Sequence, residues 1–274
     1  MIKLLNASFT RLRKNKLFWL LTLFSIGLAI FMVYAMYNDM KNYGDIIKLE
    51  QLIFNYSTSI AIPISIFISL FLGVEYSDGA IRNKISIGHK RTNIYLSNLI
   101  IILLVSLFSY ILFMLVIFLL GMPIFGTITL PISKFIILMS CIFVTIITYS
   151  SIFTFLAMII SNKTITAIVS IMLAFGMMIT AITCMNILYT PKTIQEAKMV
   201  DGETKMEEVP NPKYPSEKKK KVCQTLLNIN PTGQMFQIAD NSISNIKKLP
   251  LYSLGIIVIF TASGIMLFKK KELK

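Results

Sequence analysis

Six stretches of this 274-residue chain carry no charged residue and are long enough to cross a lipid bilayer: 17–37, 52–74, 94–120, 135–160, 164–188 and 249–268. At about 1.5 Å of rise per helical residue each covers about 30 Å of hydrocarbon, the longer ones with tilt. A backbone in lipid must satisfy its own hydrogen bonds, so such runs are read as helices. The expected fold class is therefore all-α, a polytopic membrane protein with six transmembrane helices forming a single domain over 1–274. Hydrophobic residues make up 55% of the chain and charged ones 15%, against roughly 25% charged in soluble domains, which excludes a soluble globular fold. Pro63 inside the second run predicts a kink, with neighbouring Ser or Thr hydroxyls meeting the freed carbonyl.

The net charge of +14 sits between the apolar runs. No basic segment interleaves with stacking aromatics, so it points to membrane topology and anionic lipid, with no nucleic-acid partner. Lys3, Arg11, Arg13, Lys14 and Lys16 precede span one; Arg82, Lys84, Lys90 and Arg91 follow span two; Lys269, Lys270, Lys271 and Lys274 close the chain. These flanks are expected on the cytoplasmic side. The opposite loops are poorer in net positive charge, with Lys41 and Lys48 against Asp39, Asp45 and Glu50 in the first and Lys134 alone in the next. Both termini are thus expected inside. The first run is too long for a signal-peptide core and no small-residue cleavage site follows, so it is expected to be retained. Ahead of it, Ile2, Leu5, Phe9 and Leu12 recur at helical spacing beside Arg11, Arg13 and Lys14, predicting an interfacial amphipathic helix.

Residues 189–248 are expected outside despite ten lysines, because long loops escape the positive-inside rule and Glu196, Asp201, Glu203, Glu207, Glu208, Glu217 and Asp240 offset the charge. Polar composition and Pro210, Pro212 and Pro215 predict a mobile insertion through Lys218–Lys221. From Pro231, the apolar residues Met235, Phe236, Ile238, Ala239, Ile243 and Ile246 predict an amphipathic helix resting on the outer membrane face. Cys141, Cys184 and Cys223 are odd in number and two lie in apolar runs, so they are expected as small hydrophobes without a disulfide framework.

The spans so bounded contain no Asp, Glu, Lys, Arg or His, which argues against a proton- or ion-coupled transporter. Paired membrane carboxylates, His or Cys clusters with metal-ligand spacing and a phosphate-binding Gly-rich loop are also missing from the sequence, and His89 stands alone in a loop; an enzyme or a metal site is not expected. Small and hydroxylated residues recur every fourth position instead: Ser57, Ala61, Ser65, Ser69 and Gly73 in span two, and Thr166, Ser170 and Ala174 in span five, with Thr145, Thr148, Ser151 and Thr154 in span four. Such stripes let helices approach closely, and they serve either helix packing or a translocation path that opens between packed helices.

The segment after span two is the most specific one. Glu75 and Asp78 precede Gly79; Arg82 and Lys84 then alternate with Ile81, Ile85 and Ile87 before Gly88, His89 and Arg91. It is too polar to span and too apolar to be only solvated, so it should lie along the cytoplasmic face as a docking edge. The pattern resembles the type 2 ABC-exporter permeases, in which a span ends in Glu-x-x-x-Gly and a short coupling helix leads to Gly, His and Arg, here Glu75, Gly79, Gly88, His89 and Arg91. The N-terminal amphipathic helix, Asn230-Pro231 before the outer helix, and the closing stretch from Leu267 through Phe268 to Lys274 are similar to the same family. Ala80 stands where Thr is common, and the polar insertion from about Thr190 to Lys221 is longer than in many members.

The resemblance implies a membrane-spanning permease subunit in a bacterial cell membrane, paired with a second permease as homo- or heterodimer and with separate ATP-binding-cassette ATPase subunits. Such a subunit exports a hydrophobic or amphipathic substrate, as in bacteriocin-immunity and peptide-antibiotic resistance systems, while ATP and Mg stay on the partner. Glu75, Gly79, Ile81, Arg82, Lys84, Ile85, Gly88 and Arg91 are the expected coupling residues, with Ile81 and Ile85 filling a partner groove and Arg82 and Lys84 at its rim. The alternative is a non-transporting scaffold or sensor that docks a cytoplasmic partner through the same loop.

Overall fold

A computed structural model describes residues 1–44, 46–200, 203–240 and 248–272. Asp45, Asp201, Ile243, Ile246 and Lys274 of the reading above lie outside the described residues. Among the described residues, the regular structure is helical apart from one hairpin. α1 (Ile2–Lys14) leads into α2 (Lys16–Tyr43); α3 (Leu49–Ser59) and α4 (Ala61–Ser77) follow, then the short α5 (Ala80–Ser86), α6 (Arg91–Phe125), α7 (Ile132–Ile159) and α8 (Lys163–Leu188). Strands β1 (Thr193–Val200) and β2 (Glu203–Pro210) precede α9 (Glu217–Ile229), α10 (Pro231–Ala239) and α11 (Leu249–Lys270).

Five helices, α2, α6, α7, α8 and α11, are each long and apolar enough to cross a membrane. The pair α3 and α4 passes the same test jointly, with a bend of 43° between them. The break falls at Ile60, so the kink expected from Pro63 is present, displaced toward the N-terminus because the ring excludes the carbonyl one turn back, at Ser59. Around it Ser57, Thr58 and Ser65 donate to the carbonyls of Phe54, Asn55 and Ile62 at 2.5, 2.7 and 2.8 Å. The bent pair runs the length of α6. At its start the Thr129 hydroxyl, just beyond α6, donates to Glu50 Oε1 at 2.5 Å; at its end Asn98, in the first turns of α6, donates to Glu75 at 2.8 Å.

Burial separates the centre of the bundle from its lipid face. In the most apolar window of α7, 61% of residues are buried, against 22% for α2 and α8 and 17% for α11. α7 is thus the central helix, and residues such as Leu23, Phe31, Met172 and Val258 on the outer helices remain exposed, as lipid-facing side chains should. Aromatic rings fill the core between α3 and α6, where Tyr56 stacks on Phe113 with ring centroids 3.8 Å apart.

Two expectations are corrected. The insertion is not a structureless loop: β1 and β2 pair antiparallel from Thr193↔Pro210 to Val200↔Glu203, and Lys218–Lys221 form the first turns of α9, capped by Ser216. α9 folds because Cys223 and Leu227, four residues apart, pack on Ala181, Cys184 and Met185 of α8. The helix from Pro231 does not rest on the surface. Pro231 to Met235, Gln237 and Ile238 are all buried, and its polar residues bond inward: Ser253 and Thr145 donate to Gln234 Oε1 at 2.7 and 3.2 Å, and Tyr149 shares a hydrogen with Thr232 at 2.8 Å. Gly233 permits this insertion, since a Cβ there would lie 2.7 Å from the Leu227 carbonyl oxygen. The N-terminal helix forms where its spacing predicts; α1 turns Leu4, Ser8 and Leu12 into the protein, largely against α6, while Ile2 and Phe9 stay exposed.

Candidate functional site

Helix α4 does not end at Val74 but continues to Ser77, carrying Glu75 into the folded interior at 1% exposure. Glu75 lies just beyond the uncharged run 52–74 but within the same helix, which outlasts the apolar run by about one turn. Three donors compensate the buried carboxylate. Arg11 of α1 and Lys84 of α5 both pair with Oε1, the lysine at 2.7 Å, and Asn98 of α6 donates to Oε2 at 2.8 Å. Arg11 also donates to the Phe71 carbonyl at 2.8 Å and stacks over the Phe71 ring at 4.0 Å. A buried charge is tolerated only when paired and hydrogen-bonded. One side chain therefore ties the N-terminal helix, span two, the short loop helix and the next span together.

The loop itself has a defined frame. Gly79 enters α5 at φ +69° and Gly88 leaves it at φ +93°, both in the left-handed region that glycine adopts without a Cβ penalty. At the exit the amide of Gly88 donates to the Ile85 carbonyl and that of His89 to the Lys84 carbonyl, at 2.9 and 3.1 Å, a Schellman closure. Within α5 the faces divide. Ile81 is 1% exposed and Ile85 is half-buried against the core; Arg82, Asn83 and Ser86, with Ile87 just beyond, face outward.

The expected docking teeth are placed as follows. Ile81 is spent on anchoring α5 to its own chain, Ile85 is largely so, and Lys84 is held by Glu75. Arg82 and Ile87 stay on the outer face of the loop, Ile87 being 76% exposed. Arg91 turns away from the loop altogether: it donates to the carbonyls of Phe268 and Lys269 at 3.1 and 3.3 Å and to that of Lys271, a cation at the negative end of α11. Lys271 donates in turn to Tyr76 Oη and the Met158 carbonyl, both at 3.1 Å, and burial pushes its pKa down to about 8. Both ends of the described chain and this loop therefore gather at one end of the bundle.

The small-residue stripes lie inside it. Ser57, Ala61, Ser65, Ser69 and Gly73 are buried, as are Thr166, Ser170 and Ala174 of α8 and Thr145, Thr148, Ser151 and Thr154 of α7. α4 packs closely along α8 and α7. A Cβ on Gly73 would come within 2.9 Å of the Lys163 side chain at the start of α8.

Sequence reasoning missed Arg11, Asn98 and Tyr76 as parts of this site. Asn98, a polar amide within an apolar run, was the available signal; Arg11 was hidden among flanking cations that all serve topology.

A family model described as ABC-2 family transporter protein matches residues 4–191. The chain belongs to the ABC-2 transporter family. Comparison with curated proteins returns no significant match. The matched part of this ABC-2 permease runs from α1 to the end of α8 and includes the whole Glu75 site, whereas α9, α10 and α11 lie beyond it. The family is one of multi-pass membrane transport components, so a membrane permease role and association with an ATP-binding-cassette subunit come with membership.

Proposed function

We propose that this chain is the membrane-spanning subunit of an ABC exporter for a hydrophobic or amphipathic substrate, driven by ATP hydrolysed on a separate subunit that docks on α5. The observation that carries the reading is the wiring of Glu75. A push on the exposed face of α5 would pass through Lys84 and the carboxylate to α1, α4 and α6 at once, and along α4 to its close contact with α8. In this reading α3 and α4 form one bent crossing, giving six spans. The end that gathers α1, α5 and the Arg91 clamp is cytoplasmic, and residues 189–248 are outside in the membrane of a bacterial cell. A second permease completes the assembly, and ATP and Mg belong to the partner.

The test is co-purification with the cognate ATP-binding subunit, followed by ATP-dependent transport in vesicles. Arg82→Glu combined with Ile87→Asp should leave the permease folded and inserted yet abolish binding of the subunit. Undiminished binding and transport in that variant would falsify docking on α5. Binding without any ATP-dependent substrate movement would favour the scaffold alternative.

A further inference from the structure

Away from the ionic site, α8 and α9 bring two thiols together. Cys184, near the end of α8, and Cys223, in the middle of α9, are 4% and 5% exposed. With Ala181, Met185 and Leu227 they form an apolar cluster separate from the main core. Both are free thiols in the structure, on two helices that pack directly against each other. The third cysteine, Cys141, is on α7 in the main cluster, so the juxtaposition is confined to one pair. It sits at the end of the bundle opposite α5, where the hairpin, α9 and α10 are assembled. α9 needs an anchor there, because Lys218, Lys219, Lys221 and Val222 on its other faces are exposed.

We propose that Cys184 and Cys223 form a disulfide that staples α9 to the outer end of α8, an inference resting on the outside placement of residues 189–248 proposed above. Disulfides form and persist in oxidising compartments, which the outer face provides and the cytoplasm does not. The oxidant is an external disulfide, of the class carried by thiol–disulfide oxidoreductases or oxidised small thiols. As α9 docks, one cysteine thiolate attacks it to give a mixed disulfide and releases one external thiol. The second thiolate then displaces the other external sulfur. Two protein thiols are exchanged for one bond, and the two protons and two electrons leave on the two thiols of the reduced partner. Burial of the closed pair shields it from further exchange. The bridge closes a loop of about 40 residues that contains the hairpin, restricting the unfolded chain over that length.

The experiment counts thiols in the full chain taken directly from cells. Cells are quenched in trichloroacetic acid, the protein is unfolded in detergent and treated with a maleimide, and intact mass gives the adducts. Of the three cysteines, the wild type should take one adduct, at Cys141, without reductant and all three after reduction. Cys184→Ser should take two with or without reductant, because Cys223 is released. Three adducts on unreduced wild type would overturn the bridge, as would a Cys184→Ser variant that stays at one adduct, since Cys223 would then be paired elsewhere. Either result leaves the exporter reading standing, which depends on binding of the ATP-binding subunit.

Discussion

Glu75 is one carboxylate answering two cations and an amide from three other helices, and its removal should cost more than any surface charge. Glu75→Ala leaves Lys84, 17% exposed, and the partly covered Arg11 without their partner, a loss of about 3 kcal/mol on the scale of broken buried pairs. Thermal unfolding in lipid nanodiscs should show a clear drop for Glu75→Ala and a smaller one for Glu75→Gln, which keeps an acceptor for Asn98. An unchanged midpoint for both would mean that the hub is ornamental to stability. Gly73→Leu should destabilise through overpacking by about 1–3 kcal/mol, because even a Cβ meets the Lys163 backbone and side chain at 2.9–3.1 Å; a midpoint equal to wild type would show that α8 yields without cost. Glu75 was visible in the sequence as the end of a span, but its partners were not. Arg11 lies 64 residues away and Asn98 lies 23 away, and nothing in local spacing joins them.

Among elements, α5 shows how a family resemblance can supply a helix while the sequence pattern leaves its faces misassigned. Ile81, Ile85 and Ile87 read as one row of teeth, whereas the turn at Gly79 rotates Ile81 into the chain and leaves Ile87 outside. Ile81→Asp should therefore act on folding, lowering the yield of detergent-stable protein, while Ile87→Asp should leave yield unchanged and weaken association with the ATP-binding subunit. Equal effects of the two on yield would refute the division of faces. The long apolar helices were legible because lipid leaves a backbone few options. The hairpin was not, though Asp201-Gly202 between 193–200 and 203–210 is a strong two-residue turn signal; the prolines and charges nearby outweighed it in a reading by composition. α10 was found as a helix but placed on the membrane surface. Its Thr232, Gln234 and Gln237 look solvated in sequence; the hydroxyls of Thr145, Tyr149 and Ser253 from distant helices receive the first two in the interior, and Gln224 and Asn228 of α9 receive Gln237.

At the scale of the molecule, the number of crossings follows from which groups share an end. Arg11 reaches Glu75, and Arg91 holds the last turn of α11, so the beginning and the end of the described chain meet on one side of the bundle. The proposed topology therefore has an even number of crossings. Among the described residues five helices are long and apolar enough to cross on their own, and in the proposed topology the sixth crossing comes from α3 and α4. A re-entrant pair would return to its starting side, yet this pair begins beside Thr129 beyond one end of α6 and finishes beside Asn98 near the other. The proposed direction of the whole bundle rests on the cations of α1, of the α5 loop and of the residues after Leu267, which the positive-inside rule favours in the cytoplasm. That orientation puts the hairpin outside, so a cysteine replacing exposed Lys213 should react with a membrane-impermeant maleimide on intact cells. One replacing Asn83 on α5 should react only after permeabilisation. The native cysteines are buried and wild-type cells supply the background. Labelling of Asn83→Cys in intact cells with protection of Lys213→Cys would invert the protein in the membrane and remove α5 from the reach of any cytoplasmic ATPase.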